Sequence, residues 1–262
     1  MKNFKYITFA LIALISLNSC SNDDDNTTPD VSGNAQINFD AKVGTADFAL
    51  NTPFTIGGQS IQFEGLRYWI SDVKLVNAKN ENYSVANSYF LMEETTAVSV
   101  QEGAFTYPAK KREAIDLTAV PSGSYTKIIF SVGVDAAHND NMSLQAGELS
   151  QLNGMTNLSW MWHTSYIFSS LTGKNVTPTT QVAISVETGL NANLRTVEIT
   201  LPTALVVSNS KTAKLNLTVD VEKIVKDLDL VTNPKVSASK ATLMTQVADN
   251  YKNNVFTVKS VE

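Results

Sequence analysis

From residue 36 onward the chain alternates apolar and polar side chains with a period of two, the pattern of strands that bury one face and wet the other. In residues 36–43 the apolar positions Ile37, Phe39, Ala41 and Val43 carry odd numbers, and in residues 66–70 they fall mostly on even ones. The same alternation places Ile128, Phe130, Val132 and Val134 on one face, and Val182, Ile184 and Val186 on another. It is cleanest where Val197, Ile199 and Leu201 alternate with Thr196, Glu198 and Thr200, and where Leu215, Leu217, Val219 and Val221 alternate with polar neighbours. Turn residues separate these runs: Gly57-Gly58, Pro121-Ser122-Gly123, Gly189 with Asn191 and Asn193, and Ser208-Asn209-Ser210. The spacing predicts a mainly β protein, an antiparallel β-sandwich in a single domain. Helix is expected only as a turn or two over 222–228 and as a short C-terminal helix over 241–252, where Leu243, Met244, Val247 and Tyr251 share a face. Residues 136–180 lack clean alternation and read as the functional loop region.

The first residues follow a different logic. Lys2 and Lys5 precede an apolar run over 6–17, and Leu17-Asn18-Ser19-Cys20 follows it as a lipobox. The run is shorter than the roughly 20 apolar residues that span a membrane. The expectation is a lipoprotein signal peptide over 1–19, a lipidated Cys20 and an acidic, disordered tether over 20–34. The sandwich domain would occupy 35–262. Asp23-Asp24-Asp25 resembles the export signal of Bacteroidota lipoproteins, which points to an outer-membrane lipoprotein with a lean toward the cell surface.

Cys20 is the single cysteine, so no disulfide, thiolate metal site or cysteine nucleophile is available to the exported domain. A net charge of −5 without a basic patch argues against nucleic acid as a partner. Phosphate-binding loops, HExxH motifs and nucleophile elbows are missing from the sequence, so no enzymatic activity is expected. The chain has two histidines, His138 and His163. His138 lies in an oxygen-rich stretch, 135–141, that lacks the glycine and terminal glutamate of an EF-hand loop. His163 sits in the densest constellation of the chain, with Trp160, Trp162 and Tyr166 close by. Two readings stay open for it. It is an aromatic core strand, or it is a copper site, because copper(I) favours imidazole and thioether ligands and Met142, Met155 and Met161 lie near in sequence.

Several motifs, in order, resemble the family of copper-binding proteins related to MbnP. They are Leu66-Arg67-Tyr68-Trp69-Ile70-Ser71-Asp72-Val73-Lys74-Leu75, then Gly123-Ser124-Tyr125 leading into Phe130-Ser131-Val132-Gly133-Val134-Asp135. Gly147-Glu148-Leu149, Gly154-Met155, Trp160-Met161-Trp162, Tyr166-Ile167-Phe168, then Asn191, Arg195 and Val197, and finally Ala248-Asp249-Asn250-Tyr251 with Phe256 complete the series. The resemblance implies a copper-binding β-sandwich, in some members with a tryptophan oxidised to kynurenine by a partner di-haem enzyme related to cytochrome c peroxidases. Trp160 and Trp162 are the candidates by position, and a TonB-type receptor is a second candidate partner. The chain departs from the pattern at Ser185, where the family has a histidine, at Ser165 in place of a glycine, and at Glu262, where relatives often end in histidine. Copper would therefore fall to His163, with His138. The rival expectation is a surface module without metal, in which Trp160, Trp162 and Tyr166 stack on a ligand such as a glycan.

Overall fold

The computed structural model describes residues 31–100, 103–156 and 165–262. Ten strands carry the architecture: β1 (Ser32–Val43), β2 (Gln59–Asn77), β3 (Tyr89–Thr95), β4 (Ala114–Pro121), β5 (Gly123–Val132), β6 (Ile167–Val176), β7 (Gln181–Gly189), β8 (Arg195–Val207), β9 (Ala213–Asp220) and β10 (Phe256–Val261). β1 begins inside the stretch expected to be tether, because Gly33 already pairs with Val120.

One sheet runs in the order β4-β1-β9-β10, and the other in the order β8-β5-β2-β6-β7 with Lys235–Val236 at its edge. β3 pairs with β2 over Gly65–Ser71, beside this second path. The alternating residues identified in the sequence form the layer between the sheets: Ile37 and Phe39 of β1 and Leu215 and Leu217 of β9 meet Ile128 and Phe130 of β5 and Ile184 and Val186 of β7. Phe39 and Phe130 touch edge to face with ring centres 5.7 Å apart, and Phe130 meets Phe256 in the same way at 5.1 Å. Each such fully buried side chain contributes roughly 1.5–3 kcal/mol relative to exposure.

The sandwich departs from a purely antiparallel one in two places. β1 pairs with β9 in parallel, and β7 pairs in parallel with Lys235–Val236. Parallel neighbours need a long connection, and about two-thirds of the chain lies between β1 and β9. The turn at Gly57-Gly58 joins Ile56 directly to Gln59 with φ of 55° and 78°, a hairpin geometry that excludes most side chains.

Two expectations about the middle and end of the chain change in detail. Residues 136–180 are not loop throughout, since β6 runs for ten residues as a neighbour of both β2 and β7. The C-terminal helix runs over Ala241–Asn250 and buries Met244 and Val247, with Leu243 half-buried, then widens into a π turn at Tyr251–Val255. Tyr251 remains on the buried side.

A second, smaller apolar cluster covers the other face of β2. It contains Trp69, Leu91, Val134, Met142, Leu149, Met155, Tyr166, Ile167 and Phe168. The segment 142–155 closes this face, and the site described next lies against it.

Candidate functional site

β5 ends at Val132 and the chain turns at once into α1 (Ala136–Asn139). The turn depends on Gly133, whose φ is 119°; a Cβ there would lie 2.5 Å from the Phe168 ring. The Gly133 N–H donates to the Trp69 carbonyl at 3.0 Å, and its carbonyl accepts from the Ser71 hydroxyl at 2.7 Å. Asp135 caps the helix by accepting from the N–H groups of Ala137 and His138 at 3.0 and 3.3 Å. One helical turn then places the His138 ring back over Asp135.

Three side chains converge here. The Tyr89 hydroxyl donates to Asp135 Oδ2, and His138 Nδ1 lies 2.9 Å from the Tyr89 oxygen and 3.0 and 3.2 Å from the two Asp135 oxygens. The Tyr89 and His138 rings are 4.8 Å apart. Burial pushes Asp135 upward, but the Tyr89 hydroxyl, the His138 backbone N–H and the His138 ring outweigh it and hold the carboxyl below its ordinary value. Burial, with the Asp135 carboxylate, pushes the Tyr89 hydroxyl well above its ordinary value, so the phenol keeps its proton. Asp135 is thus an acceptor, and Tyr89 spends its proton on it. His138 Nδ1 faces two acceptors and is placed to donate to them. Tyr89, Asp135 and His138 line an open cleft of about 470 Å³ together with Asp72, Asn87 and Thr196.

The helix is fixed to its surroundings through amides. Asn139, buried, donates to Asn191 Oδ1 at 2.8 Å and accepts from the Tyr166 N–H at 2.8 Å, and Asn191 donates to both oxygens of Asp140 at 2.8 and 2.9 Å. The side-chain oxygens of Asp135, Asn139 and Asp140 therefore serve the helix and its anchors. Thr156 and Tyr166 form an isolated antiparallel bridge, and the Ile167 N–H donates to the Met155 carbonyl at 2.7 Å. The two points between which residues 157–164 run are thus adjacent to each other, and one of them is bonded to Asn139.

Arg67 and Glu93 form a buried ion pair, with Nη2 2.9 Å from Oε2 and side-chain exposures of 5% and 0%. Arg67 also donates to the Asn153 carbonyl at 2.5 Å, while Tyr107 donates to Glu93 at 2.6 Å and Lys110 lies 3.2 Å from it. Asn153 in turn accepts from the Met155 N–H at 3.0 Å. The Gly154-Met155 motif is held from beneath by this network.

The expected site residues separate accordingly. Trp160, Trp162 and His163 lie outside the described residues, as does Cys20. His138 is at the cleft. Tyr166 is fully buried, edge-on to Trp69 with ring centres 6.0 Å apart. It therefore supports the site through its backbone and packing and does not offer a face for stacking on a ligand, which corrects its part in the glycan reading. Met142 and Met155 are buried in the second cluster, so their thioethers pack there. Ser185 lies on β7 opposite Thr172, and its N–H donates to the Pro234 carbonyl. Among the described residues no group of three His, Cys, Asp or Glu could hold a metal ion. They supply one imidazole, that of His138. Tyr89, and the anchoring roles of Asn139 and Asn191, were missed. Asn191 stood in a motif and Asp135 ended one, but no spacing connects Tyr89 to residues 135–138.

The MbnP family model matches residues 32–244. The chain belongs to the MbnP family. Among solved structures, MbnP from Methylosinus trichosporium is similar with a TM-score of 0.51 at 15% identity, covering 87% of this chain and 98% of that one. At that identity the likeness speaks for the fold. No curated protein matches. For this MbnP-family chain, the family match spans every element that builds the cleft, from β2 and β3 through α1 to Asn191.

Proposed function

We propose that this protein is an exported, lipid-anchored, non-enzymatic metal-binding protein that holds copper through His163 and His138. The observation that carries the reading is the His138 ring, which lines an open cleft and whose Nδ1 is engaged by Tyr89 and Asp135. Copper bound there would draw on imidazole chemistry, since the exported domain has no thiol other than Cys20. His163 belongs to the segment 157–164, whose flanks are paired at Thr156 and Tyr166 and bonded to α1. Family membership supports the reading. Trp160 or Trp162 is the proposed site of oxidation by a di-haem partner, and Cys20 the proposed anchor to the outer membrane, where a TonB-type receptor would be a neighbour.

Elemental analysis of the protein purified from its native host tests this directly. Copper above background is expected, with loss of copper in His163→Gln and His138→Gln, and peptide masses covering 157–164 should show one oxidised tryptophan. Background copper and unmodified masses for both rings would refute the reading.

A further inference from the structure

We propose that Tyr89 and Asp135 act as a clamp that locks His138 in its Nδ1–H form and presents Nε2 to the cleft as the ligating nitrogen. The inference rests on the copper reading only for the identity of the metal. The clamp follows from donor arithmetic. Asp135 contributes two acceptor oxygens, and each is occupied: Oδ1 by the N–H groups of Ala137 and His138 and by the ring, Oδ2 by the Tyr89 hydroxyl and the ring. A phenol has one proton, and Tyr89 gives it to Asp135. Only a protonated Nδ1 satisfies both neighbours; a bare Nδ1 would set its lone pair against those of Asp135 with no donor between them. No described residue bonds Nε2.

Two elements build the clamp. Tyr89 opens β3, Asp135 caps α1, and His138 lies within that helix. Asn139 and Asp140 tie the same turn to Asn191. A histidine that ligates a metal commonly donates its other N–H to a carboxylate, which fixes its orientation and raises its basicity; losing that partner typically costs about 10–100-fold in metal affinity. Tyr89 and Asp135 are therefore positioning residues, and His138 is the group they position.

Long-range proton–nitrogen NMR on the full chain, labelled with 15N at histidine, reads the tautomer without any metal. His138→Gln identifies the His138 signals, since the chain has two histidines. At mildly alkaline pH, where an imidazole is neutral, the expected spectrum has a protonated Nδ1 and a bare Nε2. Asp135→Asn keeps a helix-capping side chain but can donate to Nδ1, so it should move the proton toward Nε2. Tyr89→Phe removes one of the two acceptors at Nδ1 and should shift the proton toward Nε2 in the same direction but to a smaller extent than Asp135→Asn. Competition titration with copper(I) should then show a weakening of about 10–100-fold in Asp135→Asn. A wild-type proton on Nε2, a rapid mixture of both forms, or an Asp135→Asn variant unchanged in both tautomer and affinity would overturn the clamp. A locked tautomer with no copper uptake supports the clamp and refutes the copper reading.

Discussion

Glu93 has no exposed side-chain surface, yet it carries a charge that Arg67, Lys110 and Tyr107 share. Such a pair is costly to bury and costlier to break, because removing one partner strands the other. Arg67→Ala should destabilise the fold by about 3 kcal/mol, at the low end of the usual 3–5 kcal/mol because two partners of Glu93 remain. Denaturant unfolding measures it, and a loss under about 1 kcal/mol would mean that water reaches Glu93 in the variant. The sequence presented Arg67 on what looked like the wet face of its strand. Glu93, the Tyr107 ring and the Asn153 carbonyl all lie against it, and no local pattern reveals that a strand is covered twice.

The same double cover explains which elements could be read. β1, β5, β7, β8 and β9 alternate because each has one face on the main core, and each was legible. Residues 65–71 of β2 are buried on both faces, Leu66, Tyr68 and Ile70 toward the main core and Trp69 toward the second cluster, so their alternation is blurred. β6 was hidden for a related reason. Its buried positions include Ser169, Gly173 and Asn175, which satisfy neighbours or admit them and give no hydrophobic signal. Gly173 makes this concrete, since a Cβ there would sit 2.4 Å from the Gln62 carbonyl oxygen and 2.9 Å from Phe63 Cα. Backbone cannot yield cheaply, so Gly173→Ala should cost about 1–3 kcal/mol and raise amide exchange along the β2–β6 pairing. Unchanged melting and exchange would show that the two strands can part there. The C-terminal helix, by contrast, was legible from a single apolar stripe, because one face packs and the other is wet.

At the scale of the whole molecule, the sandwich and the family were legible and the site only in part. The family motifs carried Gly133, Asp135 and Asn191, each of which has a geometric task at α1. Tyr89 precedes His138 by 49 residues on a strand that pairs with β2, and only the folded sheet brings the two together. Anchoring belongs to this scale as well. Cys20→Ala should move the protein from the membrane fraction to the soluble fraction on cell fractionation, and retention in the membrane would argue against lipid at Cys20. The copper claim is most directly tested by anomalous diffraction at the copper edge on crystals of the copper(I)-loaded protein. One peak at bonding distance from His138 Nε2 and the His163 ring is the predicted result, and no peak, or a peak remote from both rings, would contradict it.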